Sequence, residues 1–213
     1  HSEIQITDVQ LDFTPTVVGL GPGMGTHENT KAALKSFLAT NKSPLVVDAD
    51  ALNILAGDDS LLKLLPELSV LTPHPKELER LIGKWTDDFD KLKKAKNFAK
   101  LYKVILIIKG AHTITVFNDK LYVNTTGNPG LATAGSGDVL TGVITGLIAQ
   151  GFDAVQASLF GVYLHGKSAD LKVEDTGYQS LIASHVIEGI ALAYLDLFKE
   201  PERPEIEEVE DKK

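Results

Sequence analysis

Apolar residues along this chain fall into two kinds of spacing. Short continuous runs rich in Val, Ile and Leu, bounded by Gly, Pro or Asp, occupy residues 16–20, 44–48, 68–71 and 104–108. Unbroken runs of this length predict strands buried on both faces, because a half-exposed strand would alternate apolar with polar. Between them the period changes to three and four. Phe89, Leu92, Ala95, Phe98, Ala99 and Tyr102 share one face of a helix predicted over 88–102. Residues 113–117 and 120–124 flank Asn118 and Asp119, which predicts a hairpin with a two-residue turn. From Gly137 onward the pattern is helical, with helices predicted over 138–150, 154–171 and 180–198 and no further strand.

Strands that alternate with helices imply an α/β domain, a mostly parallel central sheet covered by helices on both faces to give three layers. Such sheets take their ligands beyond the carboxyl ends of the strands, so the chemistry is expected in the loops that follow each strand. With 213 residues and 43% hydrophobic content the chain can bury one such core, expected over 1–199. Residues 200–213, rich in Glu, Pro and Lys, have little to bury and predict a charged, solvated tail. The chain opens on His1 rather than Met, as expected of a processed or excised piece.

The net charge of -8 argues against a broad nucleic-acid interface, which needs a surplus of Lys and Arg on the binding face. No apolar run approaches the roughly 18 residues that span a bilayer, and no signal-peptide pattern opens the chain, so no membrane is expected and the compartment expected is the cytoplasm. The absence of cysteine excludes disulfides, thiolate metal sites and cysteine nucleophiles.

Five loops carry residues suited to chemistry. In Gly19-Leu20-Gly21-Pro22-Gly23-Met24-Gly25, glycines at alternate positions clear side chains from the backbone and permit positive φ, so the loop either faces a ligand or is a strained turn. It is not the dinucleotide fingerprint, whose third glycine would fall on Met24 or Thr26. In the stretch from Asn128 through Gly135, Ser136, Gly137 and Asp138, small residues run into a helix N-terminus, where unpaired N–H groups and the helix dipole favour an anion. Asp138 there either caps the helix or takes a proton from a hydroxyl that attacks a phosphoryl group. Lys109, Gly110, Ala111, His112 and Thr113 follow a strand, as a turn or as a nucleotide-contacting loop. In Thr72-Pro73-His74-Pro75-Lys76-Glu77 the prolines stiffen the frame from which His74 and Glu77 project, and Glu77 also suits the start of a helix over 76–82. Asp48 and Asp50 end another strand, where they either hold Mg²⁺ through water or, for Asp50, cap a helix.

Gly161-Val162-Tyr163-Leu164-His165-Gly166-Lys167-Ser168 matches the Walker A pattern letter for letter. A phosphate cradle needs a preceding strand and a loop of small residues, whereas this stretch lies within an apolar helical run. Its His and glycines are read as close helix packing.

The order of these loops, and above all Gly135-Ser136-Gly137-Asp138-Val139-Leu140-Thr141-Gly142, resembles the ADP- or ATP-dependent NAD(P)H-hydrate dehydratases, over residues 17–195. The resemblance implies a ribokinase-like fold. It implies that Asp138 is the catalytic base, that Gly23, Gly25 and His74 join it around the hydrated nicotinamide, and that Lys109 to Thr113 with Gly135, Ser136 and Gly137 contact the adenine nucleotide. Mg²⁺ is expected with ADP or ATP, with Asp48 and Glu77 as candidate ligands, and a homo-oligomer is expected. Three features depart from the family. Lys76 replaces a usual glycine before Glu77, Ala134 replaces one before Gly135, and the family's opening segment is absent, which points to an incomplete piece with an exposed sheet edge or to a separate chain that carries it. Two alternatives share the same phosphate end: a ribokinase-like vitamin or sugar kinase that releases its phosphorylated product, and a non-catalytic nucleotide-binding module.

Overall fold

The structure, a computed structural model, describes residues 15–199. The charged tail and the opening residues lie outside that range. Six strands form one sheet in sequential order: β1 (Val18–Leu20), β2 (Leu45–Val47), β3 (Val70–Leu71), β4 (Ile105–Ile108), β5 (Ile114–Phe117) and β6 (Lys120–Val123). The first four are parallel, and β5 and β6 add an antiparallel hairpin against β4. The turn fits the sequence: Asn118, at φ 53°, takes the left-handed conformation that Asn tolerates.

The period of two sorts the strand residues between two cores. Leu45, Val47, Leu71, Leu106 and Ile108 face α1 (Glu28–Thr40), α2 (Ala49–Ala56), α3 (Asp59–Leu62), α4 (Pro75–Ile82) and α5 (Asp88–Tyr102). Val46, Val70, Ile105 and Ile107 face the opposite way, onto Leu140 and Ile144 of α6 (Ser136–Ala149) and Val162 of α7 (Ala154–Thr176). The third layer is completed by α8 (Ala183–Leu197), whose Ala193 packs with Leu147, Ala157 and Leu164. The parallel strands step one place at a time, with every crossover helix on one face, so all three crossovers have the same hand. The chain changes face only after β6, through a short 3₁₀ turn at Pro129–Leu131. Among the described residues no helix is long and apolar enough to cross a membrane.

Two expectations need adjustment. Phe89, which falls on the apolar spacing of α5, is 86% exposed, and the buried face is Ala95, Phe98 and Ala99. The burial begins only at the second half of α5, so periodicity alone overstates the buried stripe. The helix expected to stop at Leu171 continues to Thr176, because nothing before Gly177, at φ 69°, breaks it.

Candidate active site

The sheet ladder continues one residue beyond the strands and lines the loops up side by side. The Asp48 N–H donates to the Leu20 carbonyl, Thr72 to Val47 and Lys109 to Pro73, at 3.0–3.1 Å. All of the loops singled out after strands therefore meet at one edge. Gly21 has φ +126°, and a Cβ there would lie 1.8 Å from the Asp48 carbonyl oxygen. Only glycine allows the two loops to touch.

The two carboxylates after β2 take different partners. Asp48, 2% exposed, accepts from Lys109 Nζ at 2.7 Å and from the Thr141 hydroxyl at 3.3 Å. Asp50 accepts the Gly25 N–H at 2.9 Å and so pins the glycine loop instead of capping α2. Ala49 between them sits at φ 49°, a left-handed conformation costly for a residue with a Cβ, which marks this junction as held by its surroundings.

His74 is the N-cap of α4. Its Nδ1 accepts from the Lys76 and Glu77 amides, and Glu77 Oε2 accepts the His74 N–H at 2.9 Å, a complete capping box. Glu77 is buried and its second oxygen lies 3.3 Å from His74 Nε2. Both candidate metal carboxylates are thus already engaged, and the described residues hold no group of three His, Asp or Glu placed to bind a metal ion. Mg²⁺ is commonly held by one or two carboxylates together with a substrate's phosphates, so a ligand's phosphates would have to supply part of its coordination.

A cavity of about 860 Å³ opens at this edge. Lys109, Gly110, Ala111, His112 and Thr113 form one wall, Ser136 and Gly137 of α6 another, and His74 the rim, so seven of the eight residues expected at the nucleotide share one cavity with an expected substrate residue. Gly135 is the eighth: it stands outside the lining as the left-handed N-cap of α6, at φ 83°. No side chain caps α6 there, which leaves amides of its first turn to a ligand. A Cβ on Gly137 would come within 3.2 Å of both Asp48 Oδ2 and Lys109 Nζ, so a bare backbone lies directly beside a cation.

Asp138 does not line this cavity. It is exposed in the first turn of α6 and borders a second, shallower groove with Gly142, Val143 and Tyr194 between α6 and α8. Of the two openings beside the start of α6, it borders only this second one. Gly23 and Gly25, at φ +68° and +73°, have little packed against them: a Cβ on Gly23 would meet nothing within 4 Å.

Two residues, one behind the cavity wall and one in it, were not legible as functional. Asp170 of α7 accepts the Gly127 N–H at 2.8 Å and the Asn128 side-chain amide at 2.9 Å, fixing the loop between β6 and the 3₁₀ turn. No local pattern marks it, since its partners lie 42 and 43 residues away. Replacement Asp170→Ala leaves both donors unpaired and is expected to cost about 1–3 kcal/mol, measured by chemical denaturation. His165, within the Walker-like stretch, is buried and faces the Ser136 carbonyl at 2.9 Å. The rest of that stretch is packing: a Cβ on Gly161 would meet Ile144 at 2.8 Å and one on Gly166 would meet Thr126 at 2.3 Å.

A three-layer sheet whose carboxyl edge meets an uncapped, glycine-bordered helix start defines a ribokinase-like α/β/α protein. The family model described as NAD(P)H-hydrate dehydratase matches residues 3–191, and the chain belongs to that family. It is 40% identical over 189 residues to the bifunctional NAD(P)H-hydrate repair enzyme Nnr of Moorella thermoacetica, covering 87% of this chain and 36% of that protein. It is 38% identical over 172 residues to the ADP-dependent (S)-NAD(P)H-hydrate dehydratase of Neisseria meningitidis, covering 78% of this chain and 57% of the relative. The structure of the ADP/ATP-dependent NAD(P)H-hydrate dehydratase of Bacillus subtilis, co-crystallised with ATP/Mg²⁺, superposes with a TM-score of 0.75 at 29% identity, over 89% of this chain and 68% of that one. The chain therefore spans from about a third to little more than half of the length of these two sequence relatives.

Proposed function

We propose that this chain carries the nucleotide-dependent step of NAD(P)H-hydrate repair: ADP or ATP phosphorylates the hydroxyl on the hydrated nicotinamide ring, and loss of that phosphate restores NADH or NADPH. The observation that carries the reading is the single cavity into which the Lys109 loop and the uncapped start of α6 both open. The names of the Neisseria and Bacillus relatives, ADP-dependent and ADP/ATP-dependent, support the choice of nucleotide.

In this reading the phosphates lie at the start of α6 against the Gly137 amide, where the helix dipole and the Lys109 ammonium attract negative charge. Lys109 is steered there by Asp48, buried behind it. As the ring hydroxyl attacks the terminal phosphorus, its proton passes to the Asp138 carboxylate and AMP or ADP leaves. The ester C–O bond then breaks, phosphate departs, and the neighbouring carbon gives up a proton to restore the ring double bond. The exposure of Asp138 suits this role, since it leaves the carboxylate open to an incoming hydroxyl; Gly23, Gly25 and His74 are assigned to the hydrate. Mg²⁺, carried by the phosphates, would offset their charge.

Incubation of the intact protein with NADH hydrate and ADP is expected to restore absorbance at the NADH wavelength with release of AMP and inorganic phosphate. No recovery, together with phosphorylation of a thiazole, pyrimidine or pyridoxal substrate, would replace this reading with that of a kinase, which shares the phosphate end but keeps the phosphate on its product.

A further inference from the structure

His165 is 8% exposed, belongs to a motif without a phosphate role, and takes no part in the steps above, yet it borders the nucleotide cavity. We propose that His165 is a positioning residue that aims the Gly137 amide at the nucleotide's phosphates by holding the Ser136 carbonyl. The inference rests on the nucleotide reading of the cavity. The Ser136 carbonyl and the Gly137 N–H belong to one planar trans peptide, so they point in opposite directions and rotate together. His165 Nε2 lies 2.9 Å from the Ser136 oxygen, which can only accept, so the ring proton sits on Nε2 and donates. With that carbonyl held against α7, the Gly137 N–H faces away from α7. A donor on the carbonyl also polarises the peptide and strengthens its N–H toward an anion.

The ring's environment keeps it in the form this task needs. Burial, with a smaller contribution from the Lys109 charge, pushes the His165 pKa down to about 4, opposed by the bond to Ser136. The imidazole is therefore neutral at neutral pH and holds the peptide without adding a second charge behind Lys109. Gly166 keeps the ring at this depth: its Cα lies against the Thr126 backbone, where a Cβ would come within 2.6 Å of the carbonyl carbon.

The test measures binding of ADP and of adenosine to the full chain by calorimetry, for wild type, His165→Met and His165→Gln, with thermal unfolding of each. Met fills the space without a donor, while the Gln amide nitrogen reaches the place of Nε2. Expected is a loss of about tenfold in ADP affinity for Met, the size of one hydrogen bond's effect on a charged acceptor. Gln is expected to restore most of it, and adenosine, which has no phosphate, to bind all three alike. A purely structural role would weaken both ligands together. Equal ADP affinity in wild type and His165→Met, or equal losses for ADP and adenosine, overturns the inference alone. Absence of ADP binding by wild type overturns the nucleotide reading with it. Should His165→Met not fold, the comparison of wild type with His165→Gln and with His165→Asn, whose amide stops short of the carbonyl, decides: Asn alone is expected to lose ADP affinity, and equal affinity in Gln and Asn counts against the role.

Discussion

Replacement Asp138→Asn is expected to lower kcat by 10² or more while leaving ADP affinity within about threefold of wild type, because a general base contributes on the order of 10²–10⁴ to rate. The asymmetry follows from geometry. Asp138 lies outside the cavity lining that Lys109, Ser136 and Gly137 share, so its loss removes no nucleotide contact. It is exposed, so an isosteric amide is expected to leave stability within about 0.5 kcal/mol of wild type. Steady-state kinetics on NADH hydrate with calorimetric ADP titration and thermal unfolding separates the three quantities. An unchanged kcat would remove Asp138 from the mechanism. Nucleotide affinity that survives in a wild-type protein with no turnover to lose would make the chain a binding module.

Gly21→Ala is expected to be the most destabilising substitution in the glycine loop, by roughly 3–5 kcal/mol. Two costs add: a φ of +126° that L residues rarely adopt, and a Cβ placed 1.8 Å from the Asp48 carbonyl oxygen and 2.8 Å from its carbon. Neither obstacle is the end of a flexible side chain, so the backbone after β2 must shift. That shift also disturbs the Asp48–Lys109 pair and with it the cation beside Gly137. For a domain of this size the midpoint of thermal unfolding is expected to fall by about 10 °C. Gly23→Ala is the control. Its φ of +68° is accessible to other residues at about 1–2 kcal/mol, and its Cβ would enter open space. If the two variants melt together, close packing of the glycine loop on Asp48 is not what holds this edge.

The elements were legible where one local rule sufficed. Unbroken Val, Ile and Leu runs marked β1 to β4, and a period near three and a half marked α5 through α8. Because successive strand side chains point to opposite faces, the same runs also divided between the two cores, Val46 from Val47 and Ile105 from Leu106. Glu77 was read as suited to the start of α4, where it lies, whereas the capping of that helix by His74 came only from the structure. The rejection of the Walker-like stretch needed only its helical neighbourhood, and Gly161 and Gly166 pack as that reading requires.

The partners of the polar residues were not legible, because they are chosen by strand order. Asp48 meets Lys109 across 61 residues, Asp50 holds Gly25 across 25, and Asp170 reaches Gly127 across 43. Asp48 and Asp50 each had a local use open to them, as a metal ligand or a helix cap, and the sheet brought a distant donor within 3 Å of each. By itself the sequence determined the layers, the two apolar faces and the edge at which the loops gather, since these follow from periodicities of two and of three to four. The tertiary structure alone decided which acid neutralises which base, which of the two openings Asp138 borders, and that His165 faces a carbonyl, since the energy of a buried charge or hydrogen bond depends on what lies within a few ångströms of it and not on its neighbours along the chain.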